Sequence, residues 1–453
     1  MILEAIEAQQ FRNLSGTIQW GRGLNIIYGD NGQGKTNWLE AIYLLSRTKS
    51  FRTQRLQESI RFGHDSAFVR GTVSFGRDSI SQGSALIPNL QSSELTPDLQ
   101  GAELSQDLAG AASTQRLQGF DSTRGFQEVD FTRDPEKDSL SRNQPASELT
   151  RDLQVTLQGG NKTVCTKTIS VNGKKETLAR YLGQLQVFAF TADELEVVRG
   201  TPEARRRFID RGGCSLQPAF VQTLSDYNRV LKQKNRILQD SSELELSLAE
   251  TEDLLQPWNE QLVKLGTQIH TSRTDYINQL NEAFEHGLFE REGIQIRYVS
   301  SLDGKGDLSN YEPLLSERLK LRLEAEVAAG RALIGPHRDD LEILSDGREM
   351  RVFGSSGQQR SALLLLDLAA ISVYNSRHDD YPIFLIDDVD AELDEKRINK
   401  LLEYLEGRTQ TFLTTSKRSH LQGFLSRASL YEIEDGKVAN NASGQKSFSK
   451  ALA

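Results

Sequence analysis

The sequence feature that most constrains the fold is a glycine-rich segment at residues 29–36, which reads Gly-Asp-Asn-Gly-Gln-Gly-Lys-Thr. It follows an apolar run, Leu24–Tyr28, that is typical of a buried strand, and it precedes residues whose apolar side chains recur at helical spacing. The glycines allow the backbone to approach an anion closely, and the following helix directs its positive end at the same anion. This order of strand, loop and helix predicts a nucleotide-binding α/β sheet.

Two side chains of this loop have predicted chemical roles. Lys35 is expected to contact the β- and γ-phosphates of ATP, and the Thr36 hydroxyl is expected to bind Mg²⁺. Backbone amides of the loop supply the remaining donors to the phosphates. The predicted cofactors are therefore ATP and Mg²⁺. The predicted nucleotide-binding residues of this loop are Gly29, Asp30, Asn31, Gly32, Gln33, Gly34, Lys35 and Thr36.

A second motif places two carboxylates at the end of another strand. The apolar run Ile383–Ile386 leads directly into Asp387 and Asp388. We expect Asp387 to bind Mg²⁺ at the edge of the sheet, and Asp388 to polarise the attacking water as a general base. The predicted catalytic residues are therefore Lys35, Asp387 and Asp388. A carboxylate is a weak base, so slow hydrolysis is expected, and a buried strand that merely ends in an acidic turn is the alternative.

A third motif, Gly-Ser-Ser-Gly-Gln-Gln-Arg, occupies residues 354–360 and precedes a predicted helix over residues 358–376. It lies one helix length before the carboxylate strand, which is the position of the signature sequence in ABC-type ATPases. There Ser355, Gly357 and Gln358 are expected to face the γ-phosphate held by a partner subunit. The motif therefore predicts an ATP-dependent homodimer. Its alternative interpretation is an ordinary loop and helix N-terminus.

The composition changes between residues 77 and 158. This stretch holds 13 acidic and 7 basic residues, a net charge of −6 out of −9 for the whole chain. A repeat related to Ser-Glu-Leu-Thr-x-Asp-Leu-Gln begins at residues 93, 102 and 147. So few large apolar residues predict a disordered, low-complexity insertion at a hairpin tip, between strands at residues 69–75 and 164–171. Deleting residues 80–155 is then expected to leave folding intact.

The fold class predicted is α/β: an ABC-type ATPase head assembled from N- and C-terminal segments, with an inserted helical lobe and the disordered insertion. The helical lobe is inferred from apolar stripes at helical spacing, with Pro257 expected to mark a helix start. The predicted segments are 1–76 (head, with the phosphate loop), 77–158 (insertion), 159–212 (head, β-rich), 213–290 (helical lobe) and 291–453 (head, with the signature and carboxylate strand).

Composition limits the location and the partners. The two cysteines, Cys165 and Cys214, have neither disulfide-like nor metal-like spacing, which favours a reducing cytoplasm. The longest apolar run falls short of the roughly 20 residues of a membrane span, so no membrane partner is expected. The acidic net charge means that a DNA surface has to be a local basic patch.

Two basic clusters are candidates for contacts with DNA phosphates. One comprises residues 205–207 with Arg211, and the other comprises Lys232, Lys234 and Arg236 on the helical lobe. The alternative for both clusters is a solvated face or a set of intramolecular ion pairs.

Further stretches accompany these motifs. They are Phe-Arg-Asn-Leu at 11–14, Lys-Ser-Phe-Arg at 49–52, Gly-Thr-Pro-Glu-Ala-Arg-Arg-Arg-Phe-Ile-Asp at 200–210, Gly-Pro-His-Arg-Asp-Asp at 335–340 and Ala-Glu-Leu-Asp at 391–394. Together with the three motifs above they resemble the RecF family, bacterial ATPases of the ABC superfamily. The resemblance covers nearly the whole chain outside residues 77–158. The stretch at 335–340 and the paired aspartates are more specific than the phosphate loop, which many unrelated ATPases share.

The resemblance implies an ATP-dependent homodimer on DNA that is single-stranded, gapped or at a single-to-double-strand junction. It implies weak, DNA-stimulated ATPase activity, with RecO and RecR as partners and indirect help in loading RecA. The implied processes are DNA replication, recombinational DNA repair and the SOS response to DNA damage, in the cytoplasm in association with the nucleoid.

The resemblance also assigns individual residues. It implies that Asp394 lies at the dimer interface and that Thr414 or Thr415 replaces the switch histidine of transporters. His337 and Arg338 either line the active site or close a turn after a proline. Ser356 departs from the glutamine that is usual in the family signature, and the acidic insertion is not part of the family pattern.

Three other functional classes are alternatives to this one. A chromosome-organising ATPase of the SMC type needs arms of hundreds of heptad residues, and roughly 100 helical residues between the half-motifs cannot supply them. A transporter subunit is disfavoured because about 320 residues separate the phosphate loop from the signature. A nucleotide-dependent scaffold without hydrolysis stays open.

The loop assignment predicts that Lys35→Ala abolishes nucleotide binding, because the substitution removes the cation that faces the phosphates. Titration calorimetry with ATP measures the affinity. A variant that binds ATP as tightly as the wild-type protein would contradict the assigned site.

Overall fold

The computed structural model describes residues 1–76, 149–159, 165–284, 293–417 and 421–443. The stretch from residue 77 to residue 148, most of the predicted insertion, therefore lies outside the described residues. Within the described ranges the backbone forms three sheets.

The first sheet is antiparallel. Its strands, in the described residues, are β1 (Ile2–Phe11), β2 (Leu14–Gln19), β4 (Ser66–Phe75), β5 (Leu149–Gln158), β6 (Thr166–Val171) and β7 (Lys174–Lys175). They lie in the order β2-β1-β4-β5-β6-β7.

Strand β5 corrects the boundary of the insertion. The sequence assigned residues 149–158 to the insertion, but they pair with β4 along the full length of the strand and with β6 on the other side. Leu153, Val155 and Leu157 are completely buried, as the alternation of a half-buried strand requires. The resemblance of residues 147–154 to the repeat copies concealed this alternation. Direct pairing of residues 69–75 with 164–171 is also wrong, because β5 separates β4 from β6.

The second sheet carries the phosphate loop. Its strands are β3 (Leu24–Tyr28), β8 (Val187–Phe190), β12 (Ile383–Ile386), β13 (Thr411–Thr415), β14 (Ser429–Glu434) and β15 (Lys437–Ser443). They lie in the order β15-β14-β3-β13-β12-β8, and all neighbours are parallel except β14 and β15. Because β3 from the N-terminal part lies between β13 and β14 from the C-terminal part, neither end of the chain can build this sheet alone.

The described helices surround these sheets. They are α1 (Lys35–Arg47), α2 (Leu178–Leu182), α3 (Glu196–Arg199), α4 (Pro202–Leu216), α5 (Phe220–Glu243), α6 (Leu248–Phe284), α7 (Tyr311–Leu321), α8 (Leu323–Ala329), α9 (Met350–Phe353), α10 (Ser356–His378), α11 (Val389–Glu392) and α12 (Glu395–Leu405).

Both faces of the second sheet are buried, which is usual for parallel strands. Ile27 of β3 faces a core formed with α1 and the antiparallel sheet, where Trp38 and Ile42 confirm the predicted helical stripe. Ile26 of β3 faces the opposite core, which contains the apolar residues of α10. Helix α1, which begins in the phosphate loop, is therefore held between the two sheets.

The long helices α5 and α6 form the helical lobe. Tyr227 of α5 and Leu262 of α6 belong to one apolar cluster with α7, which confirms the predicted stripes. Pro257 lies inside α6 and not at a helix start, so the helix continues through a position that lacks a backbone N–H. Helix α4 crosses the predicted boundary at residue 213, because its buried apolar residues run on through Cys214.

The third sheet lies next to this lobe. Its described strands are β9 (Ile294–Val299), β10 (Asp340–Ser345) and β11 (Arg348–Glu349), in the order β11-β10-β9. The motif at residues 335–340 leads into β10 and is held by α4, because Arg205 binds Asp340 and Arg206 binds the Asp339 carbonyl.

The fold predicts opposite results for two deletions. Removing residues 80–155 takes away most of β5, including the buried Leu153 and Val155, and should cost about 5 kcal/mol or more of folding free energy. Removing residues 80–145 keeps β5 whole and should leave the melting temperature close to that of the intact chain. Thermal unfolding measured by circular dichroism compares them, and equal melting temperatures for both deletions would contradict the role of β5.

Candidate active site

The phosphate loop depends on glycines at two positions of close approach. Gly29 has a φ of 145°, and a Cβ there would lie 2.5 Å from the Ile433 carbonyl oxygen. Gly34 has a φ of 104°, and a Cβ there would lie 2.8 Å from the Asn13 side chain. Both positions lie in the left-handed region, and at Gly29 the neighbouring backbone also leaves no room for a side chain, whereas at Gly34 the Asn13 side chain would have to move. The predicted loop geometry is therefore enforced from outside the loop as well as by the glycines.

The Lys35 side chain closes the loop from within. Its Nζ donates to the carbonyl oxygens of Gly29 at 2.8 Å and Asp30 at 2.9 Å, and the residue is 8% exposed. Burial lowers the pKa of Lys35, while the nearby carboxylates, Asp388 first among them, oppose that shift. The ammonium group therefore lies inside the phosphate loop, where it can contact a bound anion.

The loop and the carboxylate strand meet at one oxygen atom. Asp387 Oδ1 accepts hydrogen bonds from Thr36 Oγ1 at 2.9 Å and from Thr414 Oγ1 at 2.7 Å. Burial raises the pKa of Asp387, and the two hydroxyl donors act in the opposite direction. The structure therefore brings together Thr36 and Asp387, the two residues that the sequence assigned to Mg²⁺.

These two residues fit a magnesium ion. A hydroxyl and a carboxylate oxygen are hard ligands of the kind that Mg²⁺ takes, usually with one or two carboxylates and the oxygens of a phosphate substrate. In the described part of the chain no group of three or more His, Cys, Asp or Glu residues could hold a metal ion by itself. The pair therefore suits an ion that arrives with a nucleotide.

Asp388 follows in an unusual backbone conformation. Its φ is 49°, in the left-handed region that aspartate tolerates better than most residues, and its backbone N–H donates to Thr414 Oγ1 at 2.7 Å. Its side chain is exposed, next to the half-buried Asp387. Thr414, not Thr415, therefore orients the paired aspartates, since Thr415 instead bonds to Asp390.

The signature segment is preorganised at the start of α10. Ser355 is the N-cap and accepts from the Gln358 N–H at 3.3 Å, while the Gln358 side chain accepts from the Ser355 N–H at 2.9 Å. Gly357 is exposed and has open space around its Cα. Among the described residues, no hydrogen bond joins these three residues to the phosphate loop, so they do not complete that loop within the chain.

Arg360 links the signature to the carboxylate strand. It lies one turn into α10, and its Nε is 2.8 Å from a carboxylate oxygen of Glu392, which closes α11 immediately after the paired aspartates. No sequence pattern indicates this pair, since 32 positions separate the two residues in the chain.

The sequence does not predict the other contacts to the phosphate loop. The Gln33 carbonyl accepts from the Gly436 N–H at 2.7 Å, and its side chain accepts from the Asp435 N–H at 2.7 Å. Asn13 accepts from the Asn37 side chain at 2.7 Å, on the helix that follows the loop. Residues 11–14 carry only the family resemblance, and nothing in their spacing indicates contact with a loop 20 positions away.

Glu40 organises two arginines near the loop through charge pairing. Its buried carboxylate pairs with the Arg12 guanidinium at 2.8 Å and accepts a hydrogen bond from Ser50 Oγ at 2.6 Å. Arg52 lies 3.7 Å from the same carboxylate and donates to the Asn37 side chain at 2.7 Å. The motif at residues 49–52 is thereby fixed beside the first turns of α1.

The structure contradicts DNA contact for three of the basic candidates. Arg205 is buried and forms a two-pronged ion pair with Asp340 at 2.7 and 2.8 Å. Arg211 pairs with Glu194. Lys234 and Glu326 pair at 2.7 Å with no exposure of either side chain. A buried cation needs a partner, and in each of these cases an acidic residue of the same chain provides it.

Of the remaining basic candidates, Arg206 is half-buried and donates to the Asp339 carbonyl at 2.6 Å, and the other three stay accessible. Arg207 and Arg236 are exposed, each near an acidic residue one helical turn away. Lys232 is exposed on the same face of α5 as Arg236.

His337 closes a turn, which decides between its two predicted roles. Pro336–Arg338 forms a 3₁₀ turn, and His337 Nδ1 lies 2.8 Å from the Tyr227 hydroxyl of α5. Burial lowers the pKa of His337 to about 4. Arg338 donates to the Ala332 carbonyl at 2.9 Å. These contacts attach the turn to the helical lobe.

Asp394 is the N-cap of α12 and accepts from the Arg397 N–H at 3.0 Å. Its side chain is largely exposed, so this cap does not remove it from the surface.

None of the helices in the described ranges is long and apolar enough to span a membrane.

Comparison with known proteins identifies relatives of nearly full length. The DNA replication and repair protein RecF of Geobacillus kaustophilus (strain HTA426) is 30% identical over 446 residues, which cover 97% of this chain and 99% of the relative. RecF of Ligilactobacillus salivarius (strain UCC118) is 29% identical over 453 residues, 98% of each chain. No family model matches the chain.

A solved structure of the recombination mediator protein RecF with ATP, in the RecFOR pathway, is 26% identical and covers 98% of each chain with a TM-score of 0.73. A second structure of that protein, described as RecF-ATPrS, has a TM-score of 0.72 and the same identity. These similarities confirm the predicted α/β, ABC-type ATPase head.

The geometry predicts that Thr414→Val impairs hydrolysis more than binding. The substitution keeps the shape of this buried side chain but removes its hydrogen bonds to Asp387 and to the Asp388 N–H, so both aspartates lose their orientation. ATP hydrolysis should fall roughly ten- to hundredfold, because small displacements of catalytic groups are costly, while ATP affinity changes little.

Thr415→Val is the matched control, since Thr415 lies on the same strand and bonds to Asp390. Phosphate release and calorimetric ATP affinity should be measured for both variants. Hydrolysis at the wild-type rate in Thr414→Val would contradict the proposed role of this hydroxyl.

Proposed function

The chain belongs to the RecF family, and on that basis we propose that it is an ATP-dependent DNA-binding protein of replication and recombinational repair. One observation supports the ATP-dependent part above all others. Thr36 of the phosphate loop and Asp387 of the carboxylate strand meet through a 2.9 Å hydrogen bond, although 351 positions separate them. The solved relative bound to ATP adds independent support for ATP as the ligand.

In this proposal residues 29–36 hold the triphosphate. Loop amides and the N-terminus of α1 bind the phosphates, and Lys35 exchanges its carbonyl contacts for the β- and γ-phosphates. Thr36 and Asp387 hold the Mg²⁺ ion, which when bound neutralises charge on the phosphates. The hydroxyl of Thr414 keeps Asp387 oriented toward that position.

Hydrolysis is proposed to use Asp388 as the general base. Its exposed carboxylate accepts a proton from water as the water oxygen bonds to the γ-phosphorus and ADP leaves. Lys35 stabilises the charge on the transferring group. A carboxylate without a neighbouring histidine is a weak base, which fits a slow ATPase.

The signature is proposed to act across a homodimer. Ser355, Gly357 and Gln358 are exposed and capped, and a second copy of the chain would bring them to the γ-phosphate held by the first. Asp394 would lie at the same interface. Through the Arg360–Glu392 ion pair, a movement of the signature would then also move the segment that carries the paired aspartates.

DNA binding is proposed for single-stranded, gapped or junction DNA. The accessible candidates are Lys232 and Arg236, which lie on one face of α5 near Asp240, and Arg207 on α4. Such side chains neutralise phosphates without reading the base sequence. RecO and RecR are the proposed partners, with indirect help in loading RecA, and the SOS response and the cytoplasmic nucleoid are the proposed setting.

A chromosome-organising role of the SMC type is less well supported. The longest described helices, α5 and α6, have 24 and 37 residues, whereas the arms of such proteins need hundreds of heptad residues. A helical lobe of this size suits a compact DNA-binding head.

The proposal predicts that gapped duplex DNA stimulates ATP hydrolysis, because DNA that favours the dimer brings the signature to the bound ATP. Phosphate release should be measured with no DNA, with blunt duplex and with gapped duplex at low salt. We expect the highest rate with gapped duplex. Equal rates in all three conditions, together with no ATP-dependent DNA binding, would contradict the proposal.

Asp388→Asn is the control that ties this activity to the site. It should keep ATP affinity and lower hydrolysis about a hundredfold or more, because it removes the general base. Sedimentation should then detect an ATP-bound dimer that accumulates. An unchanged hydrolysis rate in this variant would remove Asp388 from the mechanism.

A further inference from the structure

A buried carboxylate on the signature helix has no hydrogen bond. Asp367 lies in α10, 12 positions after Ser355 of the signature, and its side chain is completely buried. Among the described residues, neither of its carboxylate oxygens has a hydrogen-bond partner. Burying an ionised carboxylate without a partner is costly, so a side chain in this position needs a proton or a nearby cation. Asp367 therefore keeps a capacity to accept hydrogen bonds that the present packing does not use.

The cation that acts most strongly on Asp367 is Arg211. Burial raises the pKa of Asp367 well above its usual range, the positive charge of Arg211 opposes that shift, and the negative charge of Glu194 adds to it. Helix α10 packs against α4, which carries Arg211, and against the 3₁₀ turn Asp193–Leu195, which carries Glu194. Asp367 and Glu194 are therefore two carboxylates, on different elements, that lie near one arginine.

In this structure Arg211 pairs with the first of these carboxylates. Its Nη2 donates to Glu194 Oε2 at 2.8 Å, and its Nη1 donates to Glu194 Oε1. Nη1 also donates to the Tyr43 hydroxyl at 3.3 Å, on the helix α1 that begins in the phosphate loop. Within the described ranges, the hydrogen bonds that Arg211 donates thus go to α1 and to the turn after β8, and none goes to Asp367 on the signature helix.

We propose that Asp367 is a second acceptor for Arg211, and that Arg211 changes from Glu194 to Asp367 when the signature engages the nucleotide of a second copy of the chain. This inference rests on the proposed ATP-dependent homodimer. The signature begins the same helix that carries Asp367, so a displacement of α10 moves both. Coupling between separate sites requires an element with two discrete arrangements, and one arginine between two carboxylates supplies such an element. The three side chains are positioning residues, which act on the ATP site through α1 and α10.

A second acceptor predicts losses of stability that do not add. Glu194→Gln should be tolerated because Asp367 takes over the arginine, and Asp367→Asn should be tolerated because Arg211 keeps Glu194. The double variant leaves the arginine without a carboxylate, so its folding equilibrium constant should fall at least about tenfold further than the two single losses combined. Urea unfolding of the four proteins measures these losses. Additive losses would overturn the second-acceptor role, and so would a Glu194→Gln variant that does not fold while Asp367 is intact.

The exchange predicts opposite effects of the two single substitutions on the dimer. Glu194→Gln should tighten the ATP-dependent dimer about tenfold, because it removes the acceptor used by the unassembled chain, and Asp367→Asn should weaken the dimer about tenfold, because the exchange can no longer occur. Sedimentation with ATP measures dimer formation, and calorimetry at protein concentrations below dimer formation should find wild-type ATP affinity for both variants. Effects of the same sign on the dimer would contradict the exchange.

Glu342→Gln is the matched control. It also converts a carboxylate to an amide, but it does so in a surface ion pair with Arg297 on the third sheet. It should change neither dimer formation nor ATP affinity. An effect on the dimer as large as that of Asp367→Asn would mean that loss of negative charge, and not the exchange, explains the result.

Proton release gives a further measurement. An ion pair with Arg211 lowers the pKa of Asp367, so the exchange releases a proton and higher pH should favour the dimer. Dimer formation should therefore tighten as the pH rises from about 6 to about 9, and Asp367→Asn should lose that dependence. The same pH dependence in both proteins would contradict the exchange. The other titratable groups around Asp367 and Arg211 are Tyr43 and Arg47 of α1, Glu194 of the 3₁₀ turn, Cys214 of α4 and Tyr276 of α6.

These measurements separate failure of the exchange from failure of the proposed function. A wild-type protein that does not dimerise with ATP would overturn the proposed function and the exchange with it. The unfolding of the four proteins does not depend on ATP, so it would still decide whether Asp367 can accept Arg211.

Discussion

One carboxylate oxygen joins the two halves of the candidate site. Asp387 Oδ1 accepts hydrogen bonds from Thr36 and from Thr414. Asp387 follows β12, Thr36 follows β3 and its loop, and Thr414 lies near the end of β13. These three strands are adjacent and parallel. Parallel strands bring their carboxyl ends to one edge of a sheet, and this edge is where the ligands of open α/β sheets bind. The site therefore depends on a sheet that mixes strands from both ends of the chain, so nucleotide binding is coupled to assembly of the whole head.

The phosphate loop is also held from two other directions. Asn13, from the antiparallel sheet, packs on Gly34, and the turn between β14 and β15 donates to both the carbonyl and the side chain of Gln33. These contacts use backbone groups and short polar side chains, which impose distance and direction with little freedom. A loop preorganised in this way loses less conformational entropy when it closes on an anion.

Three buried basic residues hold parts of the chain together between the helices and the segment that leads into β10. Arg205 pairs with Asp340, Arg273 pairs with Asp210 and donates to the Pro336 carbonyl, and Lys234 pairs with Glu326. Removing one partner of such a pair leaves an uncompensated charge in the low-dielectric interior of the protein. The two basic clusters of the sequence are therefore only partly available to nucleic acid, and within these clusters the side chains left exposed on α4 and α5 keep that proposed role.

The sequence by itself determined the phosphate loop, the strand before it, the carboxylate strand and the helices around them, because glycine spacing and apolar periodicity act over short distances along the chain. Its resemblance to RecF was confirmed by relatives of nearly full length. Tertiary structure alone decided the rest. Residues 149–158 are a central strand because β4 and β6 are there to pair with them, and Thr414 orients the aspartates because β13 lies beside β12. Contacts between residues hundreds of positions apart depend on which elements pack together, and local sequence patterns carry no record of that choice.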